Sequence, residues 1–241
     1  MMKAVSRRTM LAGTGFTATA LFAGSGAPAY AADPTAKPMA RAASTPEAAL
    51  ALLEAGNAAF LRGASTGNDI SAKRRLELAA GQAPFCAYVS CSDSRVPPEL
   101  LFGRGLGELF IIRNAGNTVD TVAMGSIEYA VAELGVPLVV VMGHESCGAV
   151  KAAMSVVEKN ARFPGAIGNM IEPIIPAVLQ SRGRPGDPVT NAVKENVRRV
   201  VGTLRKESDP IMLAPQAAGK LKVVGAYYEL STGHVDFFDR G

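Results

Sequence analysis

The sequence predicts an α/β fold in which a mostly parallel central sheet is flanked by helices. Three observations carry this. Short uncharged runs rich in β-branched and aromatic residues recur at 85–90, 109–112 and 137–142, as expected of strands buried on both faces. Segments with helical periodicity and capping signals lie between them. Strands alternating with helices require crossover connections, the hallmark of a parallel sheet. At 48% hydrophobic and 19% charged residues, the 241-residue chain has the composition of a folded body with a substantial core.

In order along the chain, Ser44 and Glu47 form a capping box with Pro46 in the first turn. They open a helix to about Leu61. Leu50, Leu53, Phe60 and Leu61 share one face of it, which Gly56 and Asn57 interrupt. A second helix spans 71–80 and stops at Gly81. Strands follow at Phe85–Ser90 and Leu109–Ile112, then a helix at 121–134 before Gly135. Pro137–Met142 is the clearest buried strand, closed by Gly143. Helices fill 146–158, 166–180 and 189–206, and late strands at 220–228 and 234–238 flank a turn at Thr232-Gly233. Residues 44–241 therefore read as a single domain.

The first 31 residues read as an address. Arg7-Arg8 precedes a weakly apolar stretch from Met10 to about Gly24, and Ala29-Tyr30-Ala31 supplies small residues for cleavage. Paired arginines point to the twin-arginine (Tat) export machinery, with a periplasmic or secreted location and cleavage near Ala31. Residues 32–43 read as a linker. The net charge of +4 includes Lys3, Arg7 and Arg8, and without them the body carries +1. No basic stripe for nucleic acid is expected. Lys194, Arg198, Arg199, Arg205 and Lys206 cluster, but interleaved with Glu195 and Glu207 they read as a solvated helix face. Three cysteines, Cys86, Cys91 and Cys147, argue against reliance on disulfides in an exported chain.

Reactive groups in open α/β sheets gather beyond the carboxyl ends of strands. Cys91-Ser92-Asp93-Ser94-Arg95 and His144-Glu145-Ser146-Cys147 both occupy that position. If their strands are neighbours, Cys91, His144 and Cys147 converge. Two thiolates and an imidazole are a zinc donor set whose fourth position is left for water. A helix start at Cys147 favours its thiolate. On spacing alone, a metal site and a set of ordinary buried residues are about equally well supported.

The segments Cys91-Ser92-Asp93-Ser94-Arg95-Val96-Pro97 and Gly143-His144-Glu145-Ser146-Cys147-Gly148 resemble the two signature segments of the β-class carbonic anhydrases. Between them, Gly107 to Asn117 and Ser126 to Ala130 resemble the same family. The resemblance spans about Gly81 to Val150. It implies one zinc per chain on Cys91, His144 and Cys147, and reversible hydration of carbon dioxide to bicarbonate by zinc-bound hydroxide. It makes Asp93 and Arg95 a catalytic dyad, with Asp93 either paired to Arg95 or closing the site as a fourth ligand. It gives Gln82, Tyr129 and the Gly148 N–H substrate-binding roles. It also implies a homodimer or dimer-based oligomer, with N-terminal helices packed on the partner and Gln82 reaching across. Tyr88 stands where some members carry a tryptophan of an inhibitory bicarbonate site, whose arginine corresponds to Arg113, so an enzyme open without that control is expected. Cys86 reads as an inert buried thiol and His234 as an ordinary strand-end histidine. Three alternatives stay open: a carbon disulfide or carbonyl sulfide hydrolase on the same fold, a non-catalytic periplasmic zinc-binding protein, and a thiol redox protein, which the lack of a C-x-x-C disfavours.

Overall fold

The structure is a computed structural model that describes residues 40–64, 68–206 and 208–241. The predicted leader and residues 32–39 of the linker lie outside the described residues. Arg41 and Ala43, predicted as linker, already belong to the body. Arg41 donates to the carbonyls of Leu134 and Gly135, and Ala43 is buried. Among the described residues no helix is long and apolar enough to cross a membrane.

The first helix, α1 (Pro46–Leu61), is capped by Thr45, whose Oγ1 accepts from the Ala48 N–H at 3.2 Å. The predicted box on Ser44 is one residue early. Proline at N1 fixes the cap at the preceding residue, which must itself be extended. Gly56 and Asn57 do not interrupt the buried face; they define it. A Cβ on Gly56 would lie 2.0 Å from the Phe102 carbonyl oxygen, so glycine lets α1 touch the backbone of α3 (Pro98–Phe102). Asn57 is buried and ties three chain segments together. It donates to the Leu101 and Gly233 carbonyls and accepts from the Val235 N–H. Helix α2 (Ala72–Leu78), capped by Ser71, buries no residue of its own.

Five strands follow: β1 (Cys86–Cys91), β2 (Leu109–Asn114), β3 (Leu138–His144), β4 (Lys222–Tyr228) and β5 (Val235–Asp239). They form one sheet in the order β2-β1-β3-β4-β5, parallel except for the antiparallel edge strand β5. The predicted neighbour relation of the first and third strands holds, with Cys86 opposite Leu138 and Ser90 opposite Met142. Side chains alternate between faces. Leu138, Val140 and Met142 join Leu53, Tyr88 and Phe102 beneath α1 and α3. Val139 and Val141 join a second cluster with Ile127 of α4 (Thr121–Ala132) and with Val197 and Val201 of α8 (Pro188–Lys206). Burial on both faces explains the uninterrupted apolar runs.

Helix α5 (Gly148–Lys159) follows β3. The helix predicted over 166–180 is instead α6 (Ala166–Ile171), a 3₁₀ turn at Glu172–Ile174 and α7 (Ile175–Ser181). Pro173 and Pro176 explain the break, since each lacks the N–H that a continuous helix needs. A further helix, α9 (Pro210–Ala217), is capped by Asp209 with proline at its start. Three residues of the basic cluster on α8 are paired within the chain. Lys194 pairs with Asp236 at 3.2 Å, Arg198 with Glu195 and Arg205 with Asp239.

Candidate metal centre

The parallel pairing of β1 and β3 brings two strand ends together. Cys91 and His144 are the last residues of those strands, and Cys147 caps α5. One sulfur from each cysteine and one ring nitrogen of His144 lie within 4.8 Å of one another, and all three residues are buried. A tetrahedral zinc with ligands at about 2.0–2.3 Å spaces its donors by about 3.3–3.8 Å, so one ion fits this cluster.

Local backbone sets each donor. Gly143 has no Cβ because Val193 and Val197 of α8 press against it; a methyl there would come within 2.5 Å of Val193 Cγ1. The chain then turns through Ser146 at φ 57°, a left-handed conformation uncommon for a non-glycine residue. The Glu145 N–H donates to the Tyr228 carbonyl, and the Glu145 carboxylate accepts from the Ser231 N–H. These bonds pin the turn between His144 and Cys147 to the end of β4. His144 Nδ1 lies 2.9 Å from the Glu145 carbonyl, which can only accept, so Nδ1 carries the proton. In the neutral ring Nε2 then presents a lone pair, and it has no hydrogen-bond partner despite complete burial. An orphaned buried nitrogen costs about 1–3 kcal/mol; facing two sulfurs, it suits a soft cation.

The neighbouring Cys147 lowers the pKa of the Cys91 thiol against the effect of burial, with the Gly116 N–H helping at 3.4 Å. The neighbouring Cys91 sulfur, together with burial, raises the pKa of Cys147, although the Ala149 and Val150 N–H groups of α5 oppose this. The pair titrates as a unit, and a cation replacing the pair's proton satisfies both as thiolates.

Beside the donors, Asp93 is held by Arg95 through two parallel bonds, Nε to Oδ1 at 2.8 Å and an Nη to Oδ2 at 2.7 Å. The Arg95 N–H adds a third at 3.0 Å. These bonds hold the Asp93 carboxyl well below the usual range, so it stays ionised. Asp93 Oδ2 lies 3.9 Å from His144 Nε2. The carboxylate therefore borders the donor cluster while committed to Arg95.

Arg113 is a site residue whose local role sequence reasoning missed. Its guanidinium donates to the Cys91 carbonyl at 2.9 Å and the Asp93 carbonyl at 2.6 Å, clamping the loop between them. Two donors at one end of a fork matching two carbonyls two residues apart could have been suspected only with β2 known to lie beside β1.

Gly148 is the first residue of α5, so its N–H lies at the cluster's edge. Gln82 and Tyr129 are not brought to this cluster within the chain. Gln82 is exposed before β1, at the opposite end from Cys91. Tyr129 packs on Phe110, ring centroids 6.1 Å apart. Phe110 pairs with Ala87, four residues and about 13 Å along the strand from Cys91. Cys86 is wholly buried and its thiol pKa pushed up by burial, as an inert thiol requires. Tyr88 is buried on the α1 side of the sheet and bonds Met142 Sδ. His234 is exposed, just before β5.

A carbonic anhydrase family model matches residues 86–235. A carbonic anhydrase of Mycolicibacterium smegmatis is 38% identical over 193 residues, covering 80% of this chain and 93% of that protein. Carbonic anhydrase 2 of Mycobacterium tuberculosis is 39% identical over 188 residues, covering 78% and 90%. Among solved structures, a tetrameric β-carbonic anhydrase from Sordaria macrospora is 28% identical with a TM-score of 0.61, covering 68% of this chain and 85% of that one. A Coccomyxa β-carbonic anhydrase is 31% identical with a TM-score of 0.58, covering 68% and 75%.

Proposed function

The chain belongs to the carbonic anhydrase family, in its β class, and from that premise we propose that it hydrates carbon dioxide reversibly to bicarbonate and a proton, with zinc held by Cys91, His144 and Cys147. The observation that carries this is the convergence of two sulfurs and an unpartnered buried imidazole nitrogen beside the Asp93–Arg95 pair.

Zinc, when bound, acts as a Lewis acid that makes a water nucleophilic near neutral pH. The chain's own residues do the rest. Cys91 and Cys147 donate negative charge, and His144, fixed through Nδ1 by Glu145, presents Nε2. Asp93, ionised and oriented by Arg95, accepts a hydrogen bond from the attacking water and aims its lone pair at carbon. The Gly148 N–H, at the positive end of α5, donates to an oxygen that gains charge as the linear substrate bends.

Two thiolates make the nucleophilic water less acidic than three imidazoles do. Hydration should therefore rise from pH 7 to about pH 9 in stopped-flow assays. Full activity well below pH 7, or a preference for carbon disulfide or carbonyl sulfide, would overturn this reading.

We further propose a dimer in which Gln82 and Tyr129 serve the partner's site, because within the chain Gln82 lies at the far end of β1 from Cys91 and Tyr129 packs on Phe110, opposite Ala87. In keeping with N-terminal helices that pack on a partner, α1 leaves Phe60 and Leu61 exposed, α2 has no buried residue, and Ile70, Leu76, Leu100 and Val122 are exposed. Light scattering should report at least a dimer, and Gln82→Ala should raise KM while zinc content stays unchanged. A fully active monomer would refute the arrangement. Export by the Tat route, with the mature chain beginning near Ala32, rests on Arg7-Arg8 and the Ala29-Tyr30-Ala31 site; intact mass of the periplasmic protein checks it.

A further inference from the structure

Asn196 is a polar residue on the buried face of α8, among Ala192, Val193, Val197 and Val201, and only 2% exposed. A side-chain amide in such a setting needs partners. Its Nδ2 donates to the Gly116 carbonyl at 2.9 Å, 80 residues away in sequence. Gly116 in turn donates its own N–H to Cys91 Sγ at 3.4 Å. Asn196 therefore grips one side of the residue whose other side touches a metal-donor sulfur.

The turn that carries Gly116 is not one a chain adopts unaided. Gly116 and Asn117 are consecutive left-handed residues, at φ 80° and 46°. Asn114 Nδ2 to the Thr118 carbonyl closes the turn from within. Asn196 restrains it from another element. Space enforces the same placement, since a Cβ on Gly116 would lie 2.6 Å from Ile174 Cδ1 and 3.1 Å from Ala149 Cβ. An N–H aimed at a thiolate withdraws electron density from it, and such outer contacts tune a metal's ligands.

We propose that Asn196 is a positioning residue for the metal centre: by holding the 114–118 turn from α8, it keeps the Gly116 N–H on Cys91 Sγ and so sets the donor strength of that sulfur. This rests on the metal reading above. The test compares wild type, Asn196→Leu and Asn196→Ser. Zinc affinity is read by chelator competition, and sulfur-to-metal charge transfer by near-ultraviolet absorption of the cobalt(II)-loaded proteins. Asn196→Leu keeps the branched shape but lacks the donor; it should weaken zinc by about 10- to 100-fold and shift the charge-transfer band. Asn196→Ser keeps a hydroxyl donor and should fall between, and it stands in should the leucine variant not fold. A band unchanged in both variants overturns the proposal, whether or not affinity falls, because a purely structural role would weaken binding without altering the sulfur. A wild-type protein that takes up no cobalt would sink the metal reading itself, and this inference with it.

Discussion

Cys147→Ser should retain no zinc through dialysis and should lose hydration activity by a factor on the order of 10³ or more, because the catalytic nucleophile depends on the metal. The reason is specific to this site. Serine keeps the helix-cap geometry of α5 and is among the residues best suited to capping, so the fold should survive. What vanishes is a polarisable anion. A hydroxyl does not ionise at neutral pH even where the Ala149 and Val150 N–H groups would stabilise it. The remaining donors, Cys91 and His144, are then two, too few to hold a tetrahedral ion against water. Circular dichroism matching wild type, beside metal analysis by mass spectrometry, separates this outcome from misfolding. A Cys147→Ser protein that kept both zinc and activity would place the metal elsewhere.

Asp93→Asn should keep its zinc but lose about 10²-fold in kcat, the lower range of a well-placed proton acceptor. The variant preserves shape while removing the charge that Arg95 neutralises through its paired bonds. It also turns an amide N–H donor toward a position that needs an acceptor. Arg95→Ala should lower kcat too, by freeing Asp93 to leave its orientation. The pair acts as one unit, so Asp93→Asn combined with Arg95→Ala should cost no more than the worse single change. Strict additivity in log kcat would mean that the ion pair is a loop contact without catalytic consequence.

The parallel sheet and the three metal donors were legible in the primary structure for physical reasons. Strands buried on both faces announce themselves as β-branched runs, so β1 and β3 were recognisable, and sheet topology then forces their ends together. That is why Cys91, His144 and Cys147 could be joined across more than fifty residues. Local punctuation was harder. The 166–180 region carries apolar residues throughout, and periodicity concealed the stops that Pro173 and Pro176 impose. Helices α3 and α9 are short and open on prolines, which read more readily as loop signals. Gly56 and Asn57 looked like flaws in α1 because propensity is a property of one helix. Their purpose, a backbone-close contact with Phe102 and a buried three-way hydrogen bond, belongs to elements far off in sequence. Arg113 and Asn196 were opaque for the same reason, since each acts on the backbone of another segment.

The most direct measurement is stopped-flow carbon dioxide hydration on the purified mature protein at pH 8.5, with zinc determined on the same sample. The expected result is about one zinc per chain and rapid hydration that disappears when the metal is stripped and returns when zinc is restored. A chain that holds zinc stoichiometrically without hydrating carbon dioxide, or that hydrates it after the metal is gone, would contradict it.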